Sequence, residues 1–222
     1  GVITRCGANV TKWVPGDEVM AVAPGSFATH VCVDSNLVAR KPVNLTHQQA
    51  AAIPIAFLTA AHALEDCARM REGETLLVHA ASGGVGLAAM QIAKLSGVRV
   101  FATAGNDEKR EHVKECGAEL IMDSRSLKFA DEVMLATNGD GIDAILNSLP
   151  GEAIRRGLAS LKIGGRFLEI GKRDIYGDHP LGMYPLRNNI AFFAIDLDQL
   201  FKTQPVEMGR KLQAIGERFE SG

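Results

Sequence analysis

The sequence lacks any pair of cysteines at the close spacing of a structural zinc site or a redox motif: Cys6, Cys32, Cys67 and Cys116 are scattered through 222 residues. They read as free, reduced thiols, and a cytoplasmic setting is expected. No apolar run approaches the ~20 residues that cross a bilayer, and no signal-peptide pattern opens the chain, so neither membrane insertion nor secretion is expected. Aromatic residues make up 5%, with one tryptophan, and Lys plus Arg (24) do not exceed Asp plus Glu (26). That leaves no basic field for nucleic acid. Repeats and low-complexity linkers are missing as well. What the chain does have is 46% hydrophobic against 23% charged residues. This balance excludes disorder and supplies a core for one to two domains.

The most informative stretch is Thr75 to Arg110. Leu76, Leu77 and Val78 form a short apolar run suited to a strand buried on both faces, and Ala81-Ser82-Gly83-Gly84-Val85-Gly86 follows directly. Val85, Ala88, Ala89, Ile92, Ala93 and Leu95 then recur at helical spacing up to Gly97, and Val98 to Ala102 is the next strand. A pyrophosphate laid over a helix N-terminus needs backbone N–H groups and no Cβ in the way, which Gly83, Gly84 and Gly86 supply. Ala81 stands where the G-x-G-x-x-G pattern has its first glycine, so the match is partial. The strand-turn-helix context makes a dinucleotide the expected ligand, with Ser82 and Val85 completing the turn.

An NAD site places Asp or Glu about 20 residues beyond the glycines to hold the ribose 2′-hydroxyl, whereas an NADP site removes that charge and adds cations. Thr103, Ala104 and Gly105 occupy those positions, with no carboxylate. Lys109 follows, and Arg125 comes after the third strand-like run, Glu119 to Met122. The combination favours NADPH, with Thr103, Lys109 and Arg125 as contacts; for Lys109 the solvated face of a helix is the competing explanation.

Before this stretch, Val2 to Arg5, Glu18 to Val22 and Phe27 to Val33 read as short strands divided by Pro-Gly turns, followed by two helical pieces over Gln48 to Ala68. A chain that opens directly on a strand is expected to begin inside a domain. After it, helices over Asp107 to Cys116, Leu127 to Ala136 and Gly151 to Leu161 alternate with strands over Leu120 to Met122, Ile142 to Leu146, Arg166 to Ile170 and Asn189 to Ile195. Pro205 to Arg218 is a last amphipathic helix. Strands separated by helices must run parallel, so the expected fold is α/β: a β piece over residues 1–54 and a doubly wound Rossmann domain over 55–222.

Val14-Pro15-Gly16-Asp17-Glu18-Val19, Ala50-Ala51-Ala52-Ile53-Pro54 and Leu58-Thr59-Ala60 ahead of a glycine loop resemble the medium-chain dehydrogenase/reductase superfamily. Within it, His79 to Gly86, Asn147-Ser148-Leu149, Arg166 to Ile175 and Phe192 to Asp198 resemble the enoyl reductase domain of modular polyketide synthases and animal fatty acid synthase. The resemblance runs the whole length. It makes residues 1–54 part of a GroES-like β domain and the chain a fragment, since a complete domain has further front and rear sections. It implies NADPH-dependent reduction of an α,β-unsaturated thioester on acyl carrier protein, with other synthase domains as partners and a homodimer through the parent synthase. Some members carry a front-section tyrosine implicated in protonation, which Tyr176 and Tyr184 do not match. Zinc-dependent superfamily members need a four-cysteine lobe that this chain passes over between Asp17 and Gly25, so no metal is expected.

That reaction requires negative charge to be stabilised on the thioester oxygen and a proton to be supplied. Lys172 follows one strand end and Asp198 another, at the side of the sheet where open α/β folds bind ligands. Their separation, 198 minus 172, or 26, matches the lysine and aspartate discussed as catalytic in the fatty acid synthase reductase. A salt bridge joining two strand ends is the bland alternative. Arg173 is expected to face solvent on an extended segment. Asn147 suits a nicotinamide ribose or backbone contact, or equally a strand cap, and Gly171 and Phe193 are expected to bound the nicotinamide. His79 reads as a core histidine. A free-standing quinone oxidoreductase of the same superfamily and an inactive cofactor-binding scaffold are the rival functions.

Overall fold

Short apolar runs without polar alternation predict strands covered on both faces, and the computed structural model, which describes residues 1–222, assembles six of them into one parallel sheet. The chain first forms an antiparallel pair, β1 (Val19–Ala21) and β2 (Val38–Arg40). Two helices follow, α1 (His47–Ala51) and α2 (Ile53–Ala61), the second running into a π-helical segment, His62–Cys67. The alternating part comprises β3 (Thr75–Val78), α3 (Gly84–Leu95), β4 (Arg99–Ala104), α4 (Asp107–Glu115), β5 (Leu120–Asp123), α5 (Phe129–Ala136), β6 (Ile142–Asn147), α6 (Glu152–Ala159), β7 (Leu161–Glu169), α7 (Arg173–Tyr176) and β8 (Ala191–Ala194). The chain closes with α8 (Leu197–Thr203) and α9 (Pro205–Ser221). No helix is long and apolar enough to cross a membrane.

The strands lie in the order β5-β4-β3-β6-β7-β8, every neighbouring pair parallel. Chain direction across the sheet reverses between β3 and β6, and in such sheets the ligand crevice lies beyond the carboxyl ends of the strands at that point. One face of the sheet is closed by Phe129 and Val133 of α5 with Ile154 and Leu158 of α6, packed with Leu77, Phe101, Ile145 and Phe167 of the strands. Each such side chain contributes roughly 1.5–3 kcal/mol by leaving water. The result is a rigid base from which the loops at the strand ends project.

Two compact units are distinguished: Gly1–Leu58 together with Leu197–Gly222, and Thr59–Asp196. This differs from the expected division at residue 54, because α8 and α9 belong with the N-terminal segment and not with the sheet. Periodicity shows that α9 has an apolar face, including Met208, Leu212 and Ile215, but is silent on what that face covers. The Arg40 N–H donates to Gln213 Oε1 at 3.0 Å and the Val43 N–H to Glu220 Oε1 at 3.1 Å. Phe57 and Phe219 meet edge to face at 4.9 Å.

The strands expected at Val2 to Arg5 and Phe27 to Val33 do not form. Val2 makes a single bridge to Glu18, and the 27–33 segment is irregular with the Phe27 side chain fully exposed. Strand propensity is realised only where a neighbouring strand supplies the ladder partners. The region of Gly209 is tighter: a Cβ there would lie 1.7 Å from the Asn36 carbonyl oxygen. Gly209→Ala is therefore expected to destabilise the protein by about 2 kcal/mol or more. Gly7→Ala, whose Cβ would meet only Val10 at 3.8 Å, should stay within about 0.5 kcal/mol of the parent. Urea denaturation of the two variants measures the difference.

Candidate cofactor and catalytic site

At the end of β3 the chain turns sharply. Ala80 adopts φ +51°, a left-handed conformation that costs a residue with a Cβ roughly 1–2 kcal/mol. The turn is held from the neighbouring strand: Ala80 N–H donates to Thr103 Oγ1 at 3.1 Å and Ala81 N–H to the Thr103 carbonyl at 2.9 Å. With the Ala80 N–H on Oγ1, the Thr103 hydroxyl proton is left to donate to His79 Nδ1, 3.2 Å away. That places the histidine proton on Nε2, which has no hydrogen-bond partner; the imidazole stands edge-on to the Phe129 ring, the centroids 4.5 Å apart. Burial drives the His79 pKa down to about 3, so the ring is neutral and belongs to the core, as its position at a buried strand end suggested.

Beyond this turn Ser82 and Val85 are half-buried, Gly83 and Gly84 exposed, and Gly86 buried. Helix α3 begins after Gly83 with no side-chain cap and no acidic residue in its first turn. An uncapped helix start with exposed glycines presents donors and positive dipole to an anion. Gly86 serves packing, since a Cβ there would lie 2.6 Å from the Ala81 Cα. Thr103 corrects an expectation: it is 0% exposed, so it supports the turn from behind and does not touch a ligand.

At the end of β4, the Arg125 guanidinium lies over Gly105: a Cβ on that glycine would be 3.6 Å from Arg125 Nε. The Arg125 backbone N–H is anchored on Asp123 Oδ1 at 2.9 Å. Arg110, whose charge the sequence left to solvent, pairs with Asp107 at 2.9 Å and Asp123 at 3.4 Å and so offsets the acids of this corner. Lys109 is exposed on the first turn of α4, which Asn106 caps.

The opposite strand ends carry the chemical candidates. Lys172 follows β7 and its Nζ meets Asp196 Oδ1 at 2.8 Å, while the Tyr176 hydroxyl donates to the other oxygen of the same carboxylate. Asp196 thus joins a lysine and a phenol at the carboxyl end of β8. Asp198 belongs to the other compact unit, exposed in the first turn of α8. Arg173 is exposed, though on the short helix α7 and not on the extended segment expected. Phe193 is half-buried in β8; Phe192 points to the other face and stacks on Phe167 at 5.3 Å.

Asn147 is fully buried, and its Nδ2 donates to Glu169 Oε2 at 2.5 Å and to the Leu149 carbonyl at 2.8 Å. Of the two readings open for it, the strand cap is the one realised. Glu169 is the residue that sequence reasoning missed: a carboxyl 2% exposed, with the Gly171 N–H donating to Oε1 at 2.6 Å. A Cβ at Gly171 would lie 2.6 Å from that oxygen, so this glycine makes room for the carboxyl. The signal was present as a glutamate inside an apolar strand, which demands buried partners. No group of three or more His, Cys, Asp or Glu side chains is arranged to hold a metal ion.

Residues 84–200, over half of the chain, match the zinc-binding dehydrogenase family. The nucleotide-binding subdomain of the enoylreductase domain of PpsC from Mycobacterium tuberculosis superposes with a TM-score of 0.74 at 46% identity, over 77% of this chain and 95% of that one. The chain is a polyketide synthase enoyl reductase domain by family. Its enoyl reductase relationship extends to a phenolphthiocerol/phthiocerol polyketide synthase from Mycobacterium tuberculosis, 44% identical over 222 residues, all of this chain and 10% of that protein. The chain therefore spans about a tenth of the length of such curated relatives. The CurF ER cyclopropanase of the curacin A pathway matches with a TM-score of 0.90 at 35% identity, over 100% of this chain and 66% of that one. The residues present do not fit the zinc of the family's name, since no ligand set exists for it.

Burial raises the Glu169 carboxyl to about 7 from its ordinary 4.5; the Asn147 and Gly171 hydrogen bonds oppose this and the Asp174 charge adds to it. Between these two values the native protein keeps a proton that the unfolded chain releases. The contribution is complete below about pH 4.5 and is lost as pH rises to 7, up to about 3 kcal/mol. Glu169→Gln cannot ionise and should flatten this fall in stability, even at the cost of a hydrogen bond. Urea denaturation between pH 5 and 8 reads the slope, and identical slopes for variant and parent would contradict the assignment.

Proposed function

We propose that this domain reduces the α,β-double bond of an enoyl thioester carried on acyl carrier protein, with NADPH as reductant, within a polyketide synthase. The observation that carries the proposal is the Lys172 ammonium, fixed 2.8 Å from Asp196 beside the strand ends of a sheet that also bears the open glycine turn. The exposed glycines and uncapped start of α3 fit a pyrophosphate, with Ser82, Gly83, Gly84, Val85 and Gly86 around it. Arg125 over Gly105, with Lys109 nearby in sequence and no acid at the end of β4, fits a 2′-phosphate. Bound NADPH would supply the hydride.

The chain's own part is charge and proton handling. As hydride reaches Cβ, electron density moves through the double bond to the thioester oxygen. An ammonium at Lys172 opposes that charge and is the proton source for Cα: its N–H bond breaks as the Cα–H bond forms, leaving a neutral amine that solvent reprotonates. Asp196 holds the amine in place, and Asp198 is kept as the second proposed chemical group on the resemblance alone. Gly171 and Phe193 are proposed to bound the nicotinamide. A free-standing quinone reductase would use the same turn but has no need of a lysine poised for a proton at carbon.

The protein is expected to oxidise NADPH with a crotonyl thioester and not with a simple quinone. Lys172→Ala should lower kcat by about 10²-fold with little change in the NADPH KM. Turnover with the quinone alone would overturn the proposed reaction, and unchanged kcat in Lys172→Ala would remove the lysine from it.

A further inference from the structure

The π-helical segment His62–Cys67 lies outside the site described above and brings a thiol, an imidazole and a carboxylate into contact. Its backbone closes at i+5, as in the 2.9 Å bond from the Ala68 N–H to the Ala63 carbonyl. In an α-helix the residue five positions on is turned well away from the first, whereas the wider π turn brings the fourth and fifth residues round on either side of it. Asp66 and Cys67 are the fourth and fifth residues after His62. His62 Nδ1 meets Asp66 Oδ2 at 2.8 Å, and Cys67 Sγ stands 3.5 Å from His62 Nε2. All three side chains are half-buried and thus within reach of solvent.

The order of these contacts sets the chemistry. The Asp66 carboxylate accepts the proton-bearing Nδ1, so Nε2 presents its lone pair to the thiol, and an imidazolium formed by taking that proton is stabilised by the carboxylate behind it. This is the nucleophile, base and orienting group of an activated thiol. A metal site is excluded by the same geometry, because thiol and carboxylate sit on opposite nitrogens and share no common point. The other cysteines lack this arrangement: Cys6 donates to the Trp13 carbonyl at 3.2 Å, and Cys32 is exposed.

We propose that Cys67 is an activated thiol, set by His62 and Asp66, and the site at which hydroperoxides oxidise this domain. The thiolate attacks the terminal oxygen of the peroxide: an S–O bond forms and the O–O bond breaks. Sulfur is oxidised by two electrons to a sulfenic acid, the peroxide is reduced, and the departing alkoxide or hydroxide takes the proton held by His62. The proposal is independent of the reductase reaction.

The test is competitive alkylation of the full chain by iodoacetamide at neutral pH, with peptide mass spectrometry reading each cysteine, and trapping with dimedone after one equivalent of hydrogen peroxide. Cys67 is expected to alkylate about tenfold faster than the more exposed Cys32 and to carry the dimedone adduct. His62→Gln should bring Cys67 down to the Cys32 rate or below while leaving Cys32 unchanged, and Asp66→Asn should slow it less. Local unfolding moves the result the other way, since a loosened segment exposes the thiol and speeds its alkylation. Should His62→Gln fail to fold, Asp66→Asn gives the same reading. Cys67 reacting no faster than Cys32, dimedone adducts distributed by exposure, or variants that leave or raise the Cys67 rate would each overturn the proposal.

Discussion

The cofactor end of this domain depends on one buried hydroxyl. Thr103 on β4 accepts the Ala80 N–H and meets His79, while its carbonyl accepts the Ala81 N–H. Those bonds offset the left-handed conformation of Ala80 and direct the chain out of β3 into an uncapped α3. Ala81, with no side chain beyond Cβ, lets Gly86 approach closely enough to seat the helix on the turn. The exposed donors at Gly83 and Gly84 are therefore a consequence of packing beneath them, and their availability to an anion follows from core contacts a ligand never sees.

The chemical end is built on similar logic with charges in place of strain. Asn147 and Glu169 tie the ends of β6 and β7 together, and Gly171 leaves space for that carboxyl before the chain delivers Lys172 to Asp196. A buried, largely protonated glutamate there keeps negative charge from competing with Asp196 for the lysine. The fold alone does not choose the reaction, since a cyclopropanase superposes on it as well as reductases do. The choice rests with the few groups at the strand ends.

The sheet was largely legible in the sequence, because buried parallel strands appear as unbroken apolar runs such as Leu76 to Val78 and Ile142 to Leu146. The glycine turn and Lys172 were legible for the same local reason. Tertiary partners were not. Thr103 looked like a cofactor contact because its position along the chain is that of one, yet burial turns it inward, and Asn147 was decided between two uses only by Glu169, 22 residues away. The docking of α9 against the N-terminal segment and the π turn at His62 depend on long-range packing and on an added backbone residue, neither of which leaves a period in the sequence.

The claim that organises the rest is that the turn after β3 and the arginine over Gly105 together form a site for a dinucleotide carrying a 2′-phosphate. Titration calorimetry of the protein with NADPH and with NADH, repeated on Arg125→Ala, tests it most directly. NADPH is predicted to bind about tenfold or more tightly than NADH, with Arg125→Ala erasing most of the difference. Equal affinity for the two nucleotides in the parent protein would contradict the account.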